Sequence, residues 1–245
     1  MAIPQRSFVI PVLDFSPHST FNIGTLLADL ESIPGEVICI FNDRLPYEAL
    51  RDHPRIDKCC LNNLNPGVSR SWNIGLQLAE GAAIFVLNAD LHVERPAIER
   101  LEEELFKLDR AVMVGPQGSY LDYRRLAAKR YFSKGKFDTR IQTDDVSGFF
   151  FALHAQRFRD HGLLFDVRFS PCLTEEWDMG LQIRRAGLGC YIVPVTEFEH
   201  KWGTSHGRDD ELINYFGRKI QMADIRAANR KEFRKKWKGI YPELF

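Results

Sequence analysis

Asn65–Asp90 reads NPGVSRSWNIGLQLAEGAAIFVLNAD. Its first half is a glycine-containing turn entering a helix. Ser69–Glu80 carries Trp72, Leu76 and Ala79 at helical spacing and stops at Gly81. Its second half, Ala82–Leu87 (AAIFVL), is a continuous apolar run too short for a helix, and it closes on Asn88-Ala89-Asp90. Such runs fit strands buried on both faces, as in a parallel sheet covered by helices.

The same pattern lies upstream. Ser7–Leu13 (SFVIPVL) is β-branched and aromatic and leads into the turn-rich DFSPHS. Asn22–Ser32 places Ile23, Leu26, Leu27 and Leu30 on one helical face, and Glu36–Phe41 (EVICIF) ends in Asn42-Asp43. Strand–helix–strand alternation is the signature of a doubly wound α/β sheet. Ligands of such sheets sit beyond the carboxyl ends of the strands. There this sequence delivers Asp14, Asn42, Asp43, Asn88 and Asp90.

Downstream, the sequence predicts a helix over Arg95–Leu108, a strand over Ala111–Gly115, and a weakly periodic, acceptor-facing excursion over Tyr120–Asp145. A strand over Ser147–Leu153 and a short helix over Gln156–His161 follow. Thr174–Ala186 reads as a helix closed by Gly187, Tyr191–Pro194 as a last strand, Thr196–Arg208 as a loop, and Asp209–Lys238 as a long basic helix.

The 245 residues are 44% hydrophobic and 27% charged, with 33 Lys+Arg against 33 Asp+Glu. Those values describe a globular chain and exclude disordered, collagen-like and coiled-coil classes. The charge balance argues against a nucleic-acid binder. No apolar run approaches the ~18–20 residues of a membrane span, and the N-terminal MAIPQRSFVIPVLDF lacks the pattern of a signal peptide. Five cysteines without CxxC spacing suggest neither a disulfide framework nor a zinc knuckle, so a reducing, cytoplasmic setting is expected.

Four features could carry chemistry, and each has a plainer explanation. Asp90 past a strand end could hold a hard divalent cation, or simply form a turn. Glu175-Glu176-Trp177-Asp178 could supply a general base, or only favour a helix N-terminus. Consecutive helix positions point ~100° apart, so only one glutamate can aim squarely at a given point. His200, in EFEHKWGTSHG with His206 six positions on, could ligate an Mn²⁺-class metal or be an ordinary loop histidine. The turn before Ser69 could offer backbone N–H groups to phosphate, with Arg70 as a charged donor. Neither a Walker loop nor a G-x-G-x-x-G fingerprint is present.

Taken in order, SFVIPVLD, NPGVSRSWNIGLQLAEGAAIFVLNAD, DVSGFFFALH and TEEWDMGLQIRRAGL with the later EHKWGTS resemble the family 2 inverting glycosyltransferases of the GT-A fold. The C-terminal NRKEFRKKWKG resembles tails common in that family. The resemblance implies a mostly parallel, Rossmann-like sheet flanked by helices, in one domain over 1–208. Residues 1–115 would bind the nucleotide-sugar and 116–208 the acceptor, with 209–245 a basic helical tail packed on the domain. It further implies that Pro11, Asp14, Asn42 and Asp43 contact the nucleoside, and that Arg70 and Asn73 position the nucleotide. Asp90 and His200 would hold Mn²⁺ or Mg²⁺ at the diphosphate, and Glu176, beside Glu175, would be the general base. Two positions depart from the pattern. Asn88 stands in the metal motif, where it is expected to hydrogen-bond rather than ligate, and the base is Glu instead of Asp.

The implied activity is hexosyltransferase-like, of the kind used in polysaccharide biosynthesis, with a glycan or lipid-linked sugar as acceptor. A GT-A module that binds without turnover and a sugar nucleotidyltransferase are the rival readings. The second would want a glycine-rich basic turn that DFSPHSTFN lacks. From Arg218 to Lys238 nine Lys/Arg face two acids, with Phe233 and Trp237 interleaved. That segment reads either as a solvated helix face or as a peripheral contact with an anionic membrane, at its inner face. Homodimerisation is left open.

Overall fold

The computed structural model describes residues 5–201 and 208–245. The elements run β1 (Arg6–Val12), α1 (Ile23–Leu30), β2 (Glu36–Phe41), α2 (Arg44–Leu50), β3 (Lys58–Leu61), α3 (Val68–Leu78), β4 (Ala83–Leu87), β5 (Leu91–Val93) and α4 (Arg95–Lys107). There follow β6 (Ala111–Gly115), β7 (Gly118–Asp122), β8 (Ala127–Phe132), β9 (Ile141–Thr143), β10 (Asp145–Val146), β11 (Phe150–His154) and α5 (Ala155–Asp160). The last are a 3-10 turn (Val167–Phe169), α6 (Glu175–Arg185), β12 (Gly189–Ile192), β13 (Phe198–His200), β14 (Leu212–Tyr215), β15 (Arg218–Gln221), α7 (Met222–Trp237) and a 3-10 turn at Pro242–Leu244.

The main sheet has the order β3-β2-β1-β4-β11-β6-β12-β9. Its first four strands are mutually parallel, β11 runs against both neighbours, and β12 is parallel to β6. Alternation along each strand divides the core. On β1, Phe8, Ile10 and Val12 join α1 and α4, while Val9 joins α3 on the other face with α5 and α6. On β4, Phe85 and Leu87 take the first side, Ile84 and Val86 the second. Burial on both faces is why these strands read as unbroken apolar runs. Helix α1 starts in a capping box at Asn22 and buries Ile23, Leu26, Leu27 and Leu30. Each such side chain contributes about 1.5–3 kcal/mol of transfer free energy. At Gly75 the chain needs a glycine, since a Cβ there would stand 2.1 Å from Val9 Cγ1.

Three expectations need correction. The excursion over Tyr120–Asp145 is β-structure, in which β10, β7 and β8 form a separate three-stranded sheet and β9 closes the edge of the main one. The tail is not one helix: β14 and β15 pair as a hairpin before α7 begins at Met222. The segment after Val195 contains β13, paired antiparallel with β5; the rest of that predicted loop, with His206, includes residues 202–207, outside the described residues. Helix α7 packs Phe233 and Trp237 against Leu121, Tyr123, Leu126, Phe169 and Leu181. Among the described residues, no helix is long and apolar enough to cross a membrane.

Candidate active site

Strand β4 ends where the chain must turn, and the turn is fixed from across the sheet: the Asn88 N–H donates to Phe149 O at 2.8 Å. The pairing of β13 with β5 then lays His200 opposite Leu91. This brings His200 Nε2 to 3.2 Å from Asp90 Oδ1 and 3.4 Å from Asn88 Nδ2. The imidazole stacks on Phe149 with ring centroids 4.5 Å apart and planes 14° apart. Asp14, just past β1, lies within electrostatic reach. Its carboxyl is raised above its ordinary value by desolvation first and by the charge of Asp90 second.

The acid pair enters from the other side. Leu173 and Thr174 both hold left-handed backbone, φ +75° and +78°, immediately before α6. Non-glycine residues in that region store strain and persist only where their surroundings hold them. Here Asn229 of α7 donates to Cys172 O and Leu173 O at 2.9 and 2.8 Å. Glu175 then points inward, 4% exposed, with a buried Oε2 that no group bonds. Burial chiefly, and the neighbouring charge of Glu176 next, push its carboxyl well up. Glu176 is partly exposed, and its Oε1 accepts the Gly148 N–H at 3.0 Å. Burial of the carboxylate raises this acid too, against backbone hydrogen bonds that lower it.

Gly148 is required by close approach. A Cβ there would lie 2.4 Å from Glu176 Oε1 and 2.8 Å from Trp72 Cη2. Gly148→Ala is therefore expected to cost about 1–3 kcal/mol by overpacking and to displace the carboxylate. Thermal unfolding and turnover measured on the same preparation should both fall; an unchanged turnover would separate Glu176 from the chemistry.

The two halves meet through consecutive residues. Gly148 holds Glu176, and Phe149 holds Asn88 and His200. Ser147, next in line, is 3.0 Å from the Tyr131 hydroxyl, which donates to Gln117 Oε1 at 2.7 Å. Beside His200 opens a cleft of about 360 Å³ whose walls include Phe21, Gln117, Lys134, Phe149 and Phe198. Lys134 is fixed there by its bond to Phe198 O. Gln117, Tyr131, Lys134 and Gly148 escaped the sequence reading. Three belong to or border the excursion whose period was too weak to read, and the single available signal for Gly148 was a small residue opening an apolar strand.

The remaining predicted residues are engaged with the protein itself. Pro11 is half-buried within β1, opposite Ile40. Asn42 is buried and accepts from Asn62 Nδ2 and Ser71 Oγ, at 2.9 and 3.0 Å. Asp43 caps α2 through the Leu45 N–H. Arg70 and Asn73, expected at the nucleotide, have structural duties. Arg70 Nη1 donates to Pro66 O, Ser170 Oγ and the Tyr215 hydroxyl. The Asn73 amide exchanges two hydrogen bonds with the backbone of Phe165.

Among the described residues no group of three or more His, Cys, Asp or Glu side chains could hold a metal ion. Asp90 and His200 nevertheless offer an oxygen and a nitrogen 3.2 Å apart. Neighbouring ligands of an octahedral ion with ~2.1 Å bonds lie roughly 3 Å apart, so the pair suits two adjacent positions. A carboxylate with an imidazole suits Mn²⁺ better than Mg²⁺.

The model of glycosyl transferase family 2 matches residues 38–162, just over half of the 245. The chain belongs to glycosyl transferase family 2. The matched span opens within β2 and closes after α5, so this family 2 chain carries Asp90 and Gly148 inside it, with Asp14, the acid pair and His200 outside. No curated protein matches the sequence. Among solved structures, a crystal structure of GalNAc-T7 with UDP, GalNAc and Mn²⁺ superposes with a TM-score of 0.71 at 14% identity. It covers 98% of this chain, which spans about half (49%) of that one. The fold of the family 2 chain is thus of the GT-A type, with a central mixed sheet between helical layers.

Proposed function

We propose that this family 2 chain moves a sugar from a nucleotide-sugar to a hydroxyl of a glycan or lipid-linked acceptor by a single inverting displacement. The observation that carries the reading is the junction at Gly148 and Phe149, consecutive residues of which the first bonds Glu176 and the second stacks on His200 of the Asp90–His200 pair. A sugar hydroxyl is a poor nucleophile at neutral pH, so a base must take its proton as the bond forms. Glu176 has the exposure for this role and Glu175 does not. Gly148 N–H fixes the Glu176 carboxylate, which leaves Oε2 to receive the proton. The donor lies toward Asp14, Asn88 and Asp90. A divalent cation bound by Asp90 and His200 would neutralise charge on the departing diphosphate. The GalNAc-T7 structure, with UDP and Mn²⁺, supports the same assignment.

Thermal shift with UDP, GDP, dTDP and CDP, each with and without Mn²⁺, tests the donor side. A ligand at 100 times its Kd adds ~2.7 kcal/mol of stability, and one of the four should raise the melting temperature more with Mn²⁺ than without. Asp90→Ala should abolish the Mn²⁺-dependent part. Four silent nucleotides would overturn the assignment.

A further inference from the structure

Helix α7 has two unlike faces. Met222, Ile225, Asn229, Phe233 and Trp237 are buried against the domain. On the opposite face Arg230, Lys231, Arg234, Lys235 and Lys238 follow at helical spacing, about 12 Å long at 1.5 Å per residue. Together with Arg125, from the turn between β7 and β8, they line a shallow trough of about 730 Å³.

Ordinary surface chemistry does not account for this stripe. Cations on α4 are neutralised by its own acids: Arg95 by Glu99, Arg100 by Glu103 and Glu104, Lys107 by Glu104. In the stripe, Lys235 pairs with Glu232 at 4.0 Å, a carboxylate that it shares with Arg168, and Arg125 pairs with Asp122 at 3.7 Å. Arg234 donates to a backbone oxygen, Arg124 O. Arg230, Lys231 and Lys238 form no ion pair among the described residues. Arg230–Arg234, Lys231–Lys235 and Arg234–Lys238 are like charges four apart, an arrangement that destabilises a helix. The chain as a whole is charge-balanced, so the stripe is a local concentration of one sign that the fold alone does not favour.

We infer that this trough docks the phosphate headgroups of an anionic bilayer. Two observations choose the bilayer over a single-stranded nucleic acid. The aromatic rings of α7 are turned inward, Phe233 0% and Trp237 1% exposed, so the stripe offers no platform for stacking bases. Ile240, two residues beyond Lys238 and 40% exposed, places an apolar side chain at the end of the stripe, where it can enter the interfacial layer. The inference stands on α7 and not on the sugar-transfer reading, and each can fail without the other.

Sedimentation with phosphatidylglycerol vesicles, compared with phosphatidylcholine vesicles, reads it directly. The chain should pellet with the anionic vesicles only, and raising the salt should release it. The triple variant R230E/K231E/K235E should bind at least ~100-fold more weakly, since each basic residue near such a surface contributes about a factor of five and reversal adds repulsion. Its melting temperature and its nucleotide-dependent thermal shift should match the parent chain. If that variant fails to fold, the corresponding Gln variants and the salt titration of the parent chain decide. Equal binding to neutral vesicles, salt-independent binding, or full competition by RNA or by inorganic phosphate at millimolar levels would each overturn the assignment.

Discussion

Glu176→Gln is expected to slow sugar transfer by ~10²–10⁴-fold, the range over which a positioned general base acts, with nucleotide-sugar affinity nearly unchanged. The amide keeps the size of the side chain and can still accept the Gly148 N–H through Oε1. What it loses is the ability to take a proton. Asp14, Asn88, Asp90 and His200 are untouched, so the loss should fall on kcat. The parent enzyme should also show an acid limb in its pH–rate profile. Burial lifts Glu176 above the ordinary glutamate value of 4.5, and the base works only when deprotonated, so activity should rise with pH through that raised value. The Gln variant should lack the limb.

Stability should move the other way with pH. Glu175 and Glu176 both bind their protons more tightly folded than unfolded. Their contribution is therefore complete below about 4.5 and is lost as pH rises through the raised folded values. Denaturation followed across that window should show a flatter dependence for Glu175→Gln. Full turnover in Glu176→Gln would pass the role to Glu175 or remove the mechanism.

Trp237→Ala should damage the fold severely. Truncating a buried tryptophan costs about 3–5 kcal/mol, and this one is 1% exposed. Its Nε1 also donates at 2.7 Å to Asp178 Oδ1, a carboxylate with no exposure at all. Lys236 and Gln182 remain as partners of Asp178, at 2.7 Å each. Burial still raises that acid despite the lysine beside it, so removing a donor adds the cost of an under-satisfied buried group. A melting temperature lower by on the order of 10 °C is expected. Trp237→Phe keeps most of the packing and should lose less. Loss of activity should accompany loss of stability, since the same helix holds Leu173 and Cys172 through Asn229. A variant as stable as the parent chain would show that α7 is not anchored there.

The central strands were legible because both of their faces are buried, which leaves a continuous apolar run and no ambiguity of period. Strand β3 (KCCL) is at the edge of the sheet and only half-buried, so nothing in its composition marks it. Strand β8 (AAKRYF) shows largely solvent-facing side chains, and the excursion around it read as irregular for the same reason. Asp90 and His200 were singled out as candidates in the sequence, but their approach depends on β13 pairing with β5, a contact between residues 110 apart. The roles of Glu175 and Glu176 could not be divided from the sequence. Only burial and bonding separate them: Glu175 is buried, whereas Glu176 is partly exposed and accepts the Gly148 N–H. Arg70 and Asn73 were named in the same way. Their residue types suit a nucleotide, yet the partners that engage them, Tyr215 and Phe165, lie far along the chain.

The clamp of α7 on α6 also sets an order of events during synthesis. All the strands of the main sheet precede residue 193 in the chain, whereas Asn229, Lys236 and Trp237 are synthesised after it. Until Asn229 has left the ribosome, the carbonyls of Cys172 and Leu173 lack the hydrogen bonds that it donates to them. A nascent chain therefore carries every strand of its main sheet before it carries the residues that fasten the start of α6.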